Sequence, residues 1–250
     1  MMKIQVLLYL TFACFEFLFF PGALSARISI TNKCPFTVWP ATQTSDRKPP
    51  LALPSNVLAP QASTTVVTPV PWNGRFWGRT NCFTNNAGKF TCAPPGDCAS
   101  GQQSCNGNGG VPPATLVEFN IAAGGGQDYY DVSLVDGFNL PVSVAAQGGH
   151  KPGDCRTSTC RANVNANCPS ELQVKGAGGS VIGCMSACTK FHEPRYCCTG
   201  PNDKPATCPP TDYSKKFSQL CPEAYSYAYD DKKGTFTCSG GPNYAITFCP

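Results

Sequence analysis

Histidine is almost missing from this 250-residue chain. Only His150 and His192 occur, and neither stands at a metal-ligand spacing, so a metal hydrolase is excluded and no metal or other cofactor is expected. Charge is scarce as well: Asp, Glu, Lys and Arg make up 14% of residues, and the net charge of +4 comes from scattered lysines and arginines. Without a basic stripe, nucleic acid is excluded as a partner. No Gly-x-Ser-x-Gly elbow is present, and no Gly-Lys-Ser/Thr follows the glycine-rich stretches 107–110 and 176–179, which read as ordinary surface loops. Serine-hydrolase and phosphate-loop chemistry drop out. Asn-x-Ser/Thr sequons are lacking, so no N-linked glycan is expected. Long helical patterns are missing for a visible reason: 24 Gly and 24 Pro punctuate the chain, which excludes a helical bundle.

Cysteine, by contrast, is abundant, with 17 residues. The one long apolar run, Ile4 to Phe20, follows Lys3 and precedes the small residues Ala23-Leu24-Ser25-Ala26. This is the pattern of a secretory signal peptide over residues 1–26, cut after Ser25 or Ala26. Interrupted by Glu16, the run is shorter than the ~20 residues of a spanning helix, so no membrane span is expected. Cleavage removes Cys14 and leaves 16 cysteines, which in an oxidising compartment implies up to eight disulfides and no free thiol. The adjacent Cys197 and Cys198 must each reach a different partner. Roughly two million pairings are open to such a set, and spacing does not choose among them. With the chain ending at Cys249-Pro250, secretion to the extracellular space (apoplast) is expected over vacuolar retention.

Strand patterns begin at Arg27, with Ile28 and Ile30 alternating with Ser29 and Thr31, and resume at Phe36 to Trp39. A further strand is predicted over Thr64 to Thr68, inside a segment from Ala41 to Pro71 rich in Pro, Ser and Thr. Trp72 to Thr80 combine aromatics with turn residues. Thr115 to Ile121 alternate, with Leu116 on the face of Glu118, and Asp131 to Val144 read as two strands joined at Gly137. Ten of the 16 cysteines then fall between Cys155 and Cys238, so this half is expected to depend on cross-links more than on a core. Short helical pieces are predicted over 170–175, 183–190 and 211–220, and strands return over 235–238 and 244–249. The expected unit is all-β, with one cysteine-rich excursion.

Carboxylates supply the remaining chemistry. Glu118, Asp128, Asp131 and Asp136 crowd into 19 residues of strand-like sequence, where acids are depleted. Two carboxylates flanking a sugar bond, one protonated and one ionised, are the requirement of glycoside hydrolysis. The bland alternative is a set of solvated strand residues.

Several segments carry a resemblance to a family: Asn32 to Trp39, Phe76 to Cys82, Pro112 to Phe119, Tyr130 to Pro141 and Cys221 to Tyr227. Together with 16 cysteines in the family's order, they closely resemble thaumatin-like proteins, the pathogenesis-related group 5, over the whole mature chain. The resemblance implies a thaumatin-like domain over 27–250. Its flattened β-sandwich core comes from 27–150 plus the C-terminal strands, with a disulfide-rich lobe of loops and short helices over about 151–221. A small third lobe spans about 221–238, and a cleft lies between the first two. The segment Cys92 to Cys98 departs from the family pattern by one extra residue and by Pro in place of Thr.

The same resemblance implies an acidic cleft lined by Arg75, Glu118, Asp131, Asp136 and Asp230, with Asp231 as the alternative to the last. Glu118 and Asp136 are expected to do acid and base or nucleophile work, and Arg75, Asp131 and Asp230 to bind substrate. Asp128 is expected to be a solvated turn residue, and Phe138, Tyr225 and Tyr227 to pack rather than stack on sugars. Five residues apart, Asp131 and Asp136 share a face only if the chain bends close to Gly137. The implied disulfides are Cys34–Cys249, Cys82–Cys92, Cys98–Cys105, Cys155–Cys238, Cys160–Cys221, Cys168–Cys184, Cys188–Cys197 and Cys198–Cys208. The implied function is that of a secreted, antifungal plant-defence protein, a monomer, which binds cell-wall β-1,3-glucan and slowly hydrolyses it. The alternatives are a glucan-binding module without turnover and an inhibitor of microbial xylanase or amylase.

Overall fold

The computed structural model describes residues 25–45, 48–150 and 155–250. The expected signal peptide lies outside the described residues up to position 24. Two five-stranded sheets face each other across one core. In the first, β1 (Ala26–Asn32) lies between β3 (Ser63–Thr68), antiparallel to it, and β14 (Asn243–Phe248), parallel to it. Strands β9 (Val142–Gln147) and β10 (Ser158–Cys160) extend that sheet beyond β14. The second sheet runs in the order β13 (Phe236–Cys238), β8 (Asp128–Ser133), β7 (Leu116–Ile121), β4 (Trp72–Arg79), β2 (Trp39–Thr44). Two hairpins stand apart, β5 (Cys82–Thr84) with β6 (Phe90–Cys92) and β11 (Gln173–Lys175) with β12 (Val181–Cys184).

Period-two alternation builds the core. Ile28 and Ile30 from β1, with Tyr244, Ile246 and Phe248 from β14, point inward from the first sheet. Val117, Phe119 and Ile121 from β7 meet them, together with Trp72 and Phe76 from β4 and Tyr130 and Val132 from β8. The opposite face of the second sheet carries a smaller apolar cluster in which Ala41, Trp77 and Leu116 pack with Ala114, Cys98 and Cys105. That cluster covers only one end of the outer face and leaves the polar residues beyond it uncovered.

Three local expectations are corrected. The second strand is Trp39–Thr44, not Phe36 to Trp39, and it runs through Pro40. Proline is tolerated there because β2 is an edge strand, bonded to β4 alone. Trp72 to Arg79 form one continuous inner strand, in which Gly74 serves close packing instead of turning. A Cβ there would lie 2.4 Å from the Trp72 ring and 2.5 Å from the Gln43 carbonyl oxygen. Finally, the helical piece expected over 170–175 is helical only over Ser170–Leu172 and continues as the strand Gln173–Lys175, and the one expected over 183–190 begins as the end of the strand Val181–Cys184. Among the described residues, α-helix is found at α1 (Ala187–Phe191), α2 (Pro194–Cys197), α3 (Asp212–Leu220) and α4 (Asp231–Gly234), beside short 3-10 turns such as Ser170–Leu172. Of these, α3 is opened by a reciprocal cap between Thr211 and Ser214.

The eight disulfides are the pairs named above, from Cys34–Cys249 through Cys198–Cys208. The cysteine-rich half is nevertheless not held by sulfur alone. Val164, Leu172 and Phe217 are buried in the shared core, and β10 pairs within the first sheet.

Candidate functional site

The uncovered part of the outer face is a row of four polar side chains, one from each neighbouring strand. Gln43 on β2 stands opposite Arg75 on β4, Arg75 opposite Glu118 on β7, and Glu118 opposite Asp131 on β8. Directly opposed residues on paired strands share a face, so the ladder register alone brings these side chains together. Two residues further along each strand, and so on the same face, the row Ala41, Trp77, Leu116 belongs to the smaller apolar cluster, which forms a floor beside the polar row.

Asp136 reaches this row from outside the sheet. Strand β8 ends at Ser133, and residues 134–137 turn, with Gly137 at φ +93°. At Gly137 a Cβ would lie 2.6 Å from both the Cys184 carbonyl oxygen and Pro113, so the position requires glycine on two counts. The bend expected near Gly137 is therefore a turn that begins earlier, and it brings Asp136 back over the face that Asp131 occupies. Arg75 Nη1 lies 3.7 Å from Asp136 Oδ2, and Arg75 Nε donates to Gln43 Oε1 at 2.8 Å. Gln43 in turn donates to the Gly107 carbonyl oxygen. The glycine-rich loop 107–110, read from sequence as plain surface, thus abuts the site.

Arg75, Leu116, Glu118, Asp131, Ser133 and Asp136 line a recess of about 330 Å³, closed opposite by Tyr225, Ala228 and Asp231. A second hollow of about 500 Å³, between Gln43 and Glu118, meets it at Arg75 and Glu118. The two form a groove running across the strands.

Asp230 does not face this recess. It is buried, accepts hydrogen bonds from the Ser226 hydroxyl at 2.6 Å and the Ser226 N–H, and precedes α4. Asp231 takes the cleft position and accepts from the Tyr225 hydroxyl at 2.9 Å. Asp128 is a further correction: it is buried at the start of β8, where it accepts from Ala122 N–H and the Tyr244 hydroxyl, on the core side away from the recess. Alternation explains both its distance and its burial, since Asp128 and Asp131 lie an odd number of positions apart on one strand. Phe138 is wholly buried, and Tyr225 and Tyr227 are half-buried. Arg79, the other arginine of β4, is fully enclosed and donates to backbone carbonyls, and burial pulls its guanidinium down to about 10.

Electrostatically the recess biases Glu118 and Asp131 toward the protonated form. Burial pushes Glu118 above the ordinary carboxyl range. Arg75 opposes that shift, Asp136 reinforces it, and a hydrogen bond with Ser133 opposes it again. Asp131 is driven well above its usual range, first by burial and then by the charge of Glu118. Among the described residues, no group of three or more His, Cys, Asp or Glu side chains is arranged to hold a metal ion, and no helix is long and apolar enough to cross a membrane.

Residues 32–250 match the Thaumatin family. The chain belongs to that family. It is 67% identical over 231 residues to a protein of Prunus avium named glucan endo-1,3-beta-glucosidase, covering 92% of this chain and 93% of that relative. It is 64% identical over 252 residues to thaumatin-like protein 1a of Malus domestica, over the full length of both. Among solved structures, the GH family 64 laminaripentaose-producing beta-1,3-glucanase of Paenibacillus barengoltzii shares the fold at a TM-score of 0.58. That match has 13% identity and covers 91% of this chain and 76% of that one. At such identity the likeness concerns the fold alone. The all-β sandwich is the family's fold, and the polar row described above sits on its outer face.

Proposed function

We propose that this thaumatin-family chain is a secreted defence-type protein whose acidic recess binds β-1,3-glucan of microbial cell walls and slowly hydrolyses it. One observation carries the reading: Glu118 and Asp136 share an open recess, but their surroundings differ. Burial favours a proton on Glu118, while Asp136 is ion-paired with Arg75. Two carboxyl groups in opposite protonation states are what cleavage of a glycosidic bond uses. Glu118 is the acid that protonates the leaving oxygen, and Asp136 is the carboxylate that acts as base or nucleophile. Arg75 and Asp231 offer hydrogen bonds to sugar hydroxyls along the groove. The name of the Prunus avium relative supports the substrate class.

The test is purified protein on linear β-1,3-glucan, with retention on the insoluble polymer and release of reducing ends followed across acidic and neutral pH. Retention together with slow release, rising and falling with pH on the acidic side, is the expected result. Retention without release at any pH leaves a binding module and removes the enzymatic half. If neither is seen while a fungal xylanase is inhibited, the inhibitor reading replaces this one.

A further inference from the structure

Asp131 is the one acid of the recess that the proposed chemistry leaves without a task. Its position is unusual among described residues, because Oδ2 is buried without any hydrogen-bond partner. A carboxylate oxygen enclosed in that way is destabilising unless it holds or accepts a proton. The candidates to supply one are few. No Arg75 nitrogen bonds Oδ2; Nε donates to Gln43 and Nη1 faces Asp136. The Tyr225 hydroxyl bonds Asp231 and Thr235. Asp136 is ion-paired with Arg75, Asp231 accepts from Tyr225, and the Ser133 hydroxyl, which accepts from the Val135 N–H, makes no bond to Oδ2. What remains is Glu118, directly opposite on the neighbouring antiparallel strand. Such pairs hold their Cβ atoms ~4.5–5.5 Å apart, which brings two carboxyl groups within reach of each other.

We propose that Glu118 and Asp131 act as a single carboxyl pair holding one shared proton, with Asp131 a positioning residue behind Glu118 in place of a direct sugar contact. Two carboxyl groups at that separation do not readily ionise together, and they lose their protons in two steps that belong to the pair. The raised range of both groups, from burial and mutual charge, accords with that behaviour. The consequence for Glu118 is that a proton stays at hand above the pH at which an isolated carboxyl would have lost it. This rests on Glu118 being the acid, yet the pairing itself requires no turnover, so the two stand or fall separately.

The experiment is a pH titration of carboxyl 13C shifts in the full mature protein, wild type and Asp131→Asn, without any glucan. In the wild type, Glu118 Cδ and Asp131 Cγ are expected to show the same two inflections, the upper one above the ordinary carboxyl range. In Asp131→Asn the upper inflection disappears and Glu118 titrates in one step. A single Glu118 inflection in the wild type, unmoved by the substitution, overturns the pair whether or not glucan is cleaved.

Thermal unfolding gives an independent reading. A carboxyl whose folded-state pKa is raised binds more protons when folded, so its cost to stability appears as pH rises above ~3.9 and is complete above the folded value. Asp131→Asn should therefore raise the unfolding midpoint at neutral pH, by about 3 °C or more, and leave it nearly unchanged near pH 3. A fall at neutral pH that shrinks near pH 3 would show a carboxylate already satisfied in the fold and would overturn the pair.

Discussion

Glu118→Gln is expected to lower hydrolysis of linear β-1,3-glucan by about 10²-fold or more while leaving oligosaccharide affinity within a few-fold. The side chain keeps its shape and its place opposite Arg75 and Asp131 in the ladder, so the groove and its neutral hydrogen bonds persist. What is lost is the transferable proton, which matters only as the glycosidic bond breaks. Asp136→Asn is expected to be equally damaging to turnover, and it also releases Arg75 from its ion pair. Steady-state rates beside calorimetric affinities for the two variants check this. Parallel loss of affinity and rate in Glu118→Gln would assign that residue to binding instead.

The disulfides supply the second large effect. Cys34 follows β1 and Cys249 follows β14, the two parallel strands at the centre of the first sheet, and their bridge spans a sequence separation of 215 residues. In the chain-entropy account, closing a loop that long contributes roughly 5 kcal/mol taken alone, and less when other bridges already restrict the unfolded chain. The double variant Cys34→Ser, Cys249→Ser is expected to unfold at a midpoint lower by about 5–10 °C. Full reduction should abolish resistance to pepsin at acidic pH, which would otherwise reflect slow opening of a cross-linked fold. Calorimetry and timed digestion measure both, and equal digestion of oxidised and reduced protein would show that sulfur is not what protects the chain.

Much of this architecture was legible from alternation and from family resemblance. Ile28 and Ile30, and Val117 with Phe119, announce their buried faces, and Leu116 marks the face on which Glu118 stands. Less legible was anything decided by packing at a distance. Gly74 reads as a turn residue in sequence because its close contact with Trp72 and the Gln43 backbone belongs to the folded sheet. Gln43 lies in a segment whose Pro, Ser and Thr content hides an edge strand, so its pairing with Arg75 had no local signal. The choice between Asp230 and Asp231 turns on one residue of phase at the entry to α4, where the Ser226 hydroxyl claims Asp230. Asp128 reads as solvated in sequence because its partner Tyr244 is 116 positions away. It could have been flagged by period two alone, which sets it opposite in face to Asp131.

The proposed placement of β-1,3-glucan is in the recess bordered by Arg75, Glu118 and Asp131. Its most direct test is the titration of isotope-labelled protein with a linear β-1,3-gluco-oligosaccharide, followed by amide and side-chain chemical shifts. Saturable shifts are expected to centre on Arg75, Glu118, Asp136, Tyr225 and Asp231, residues that border the recess. Saturable shifts confined to another face of the molecule, or none at all at millimolar oligosaccharide, would contradict it.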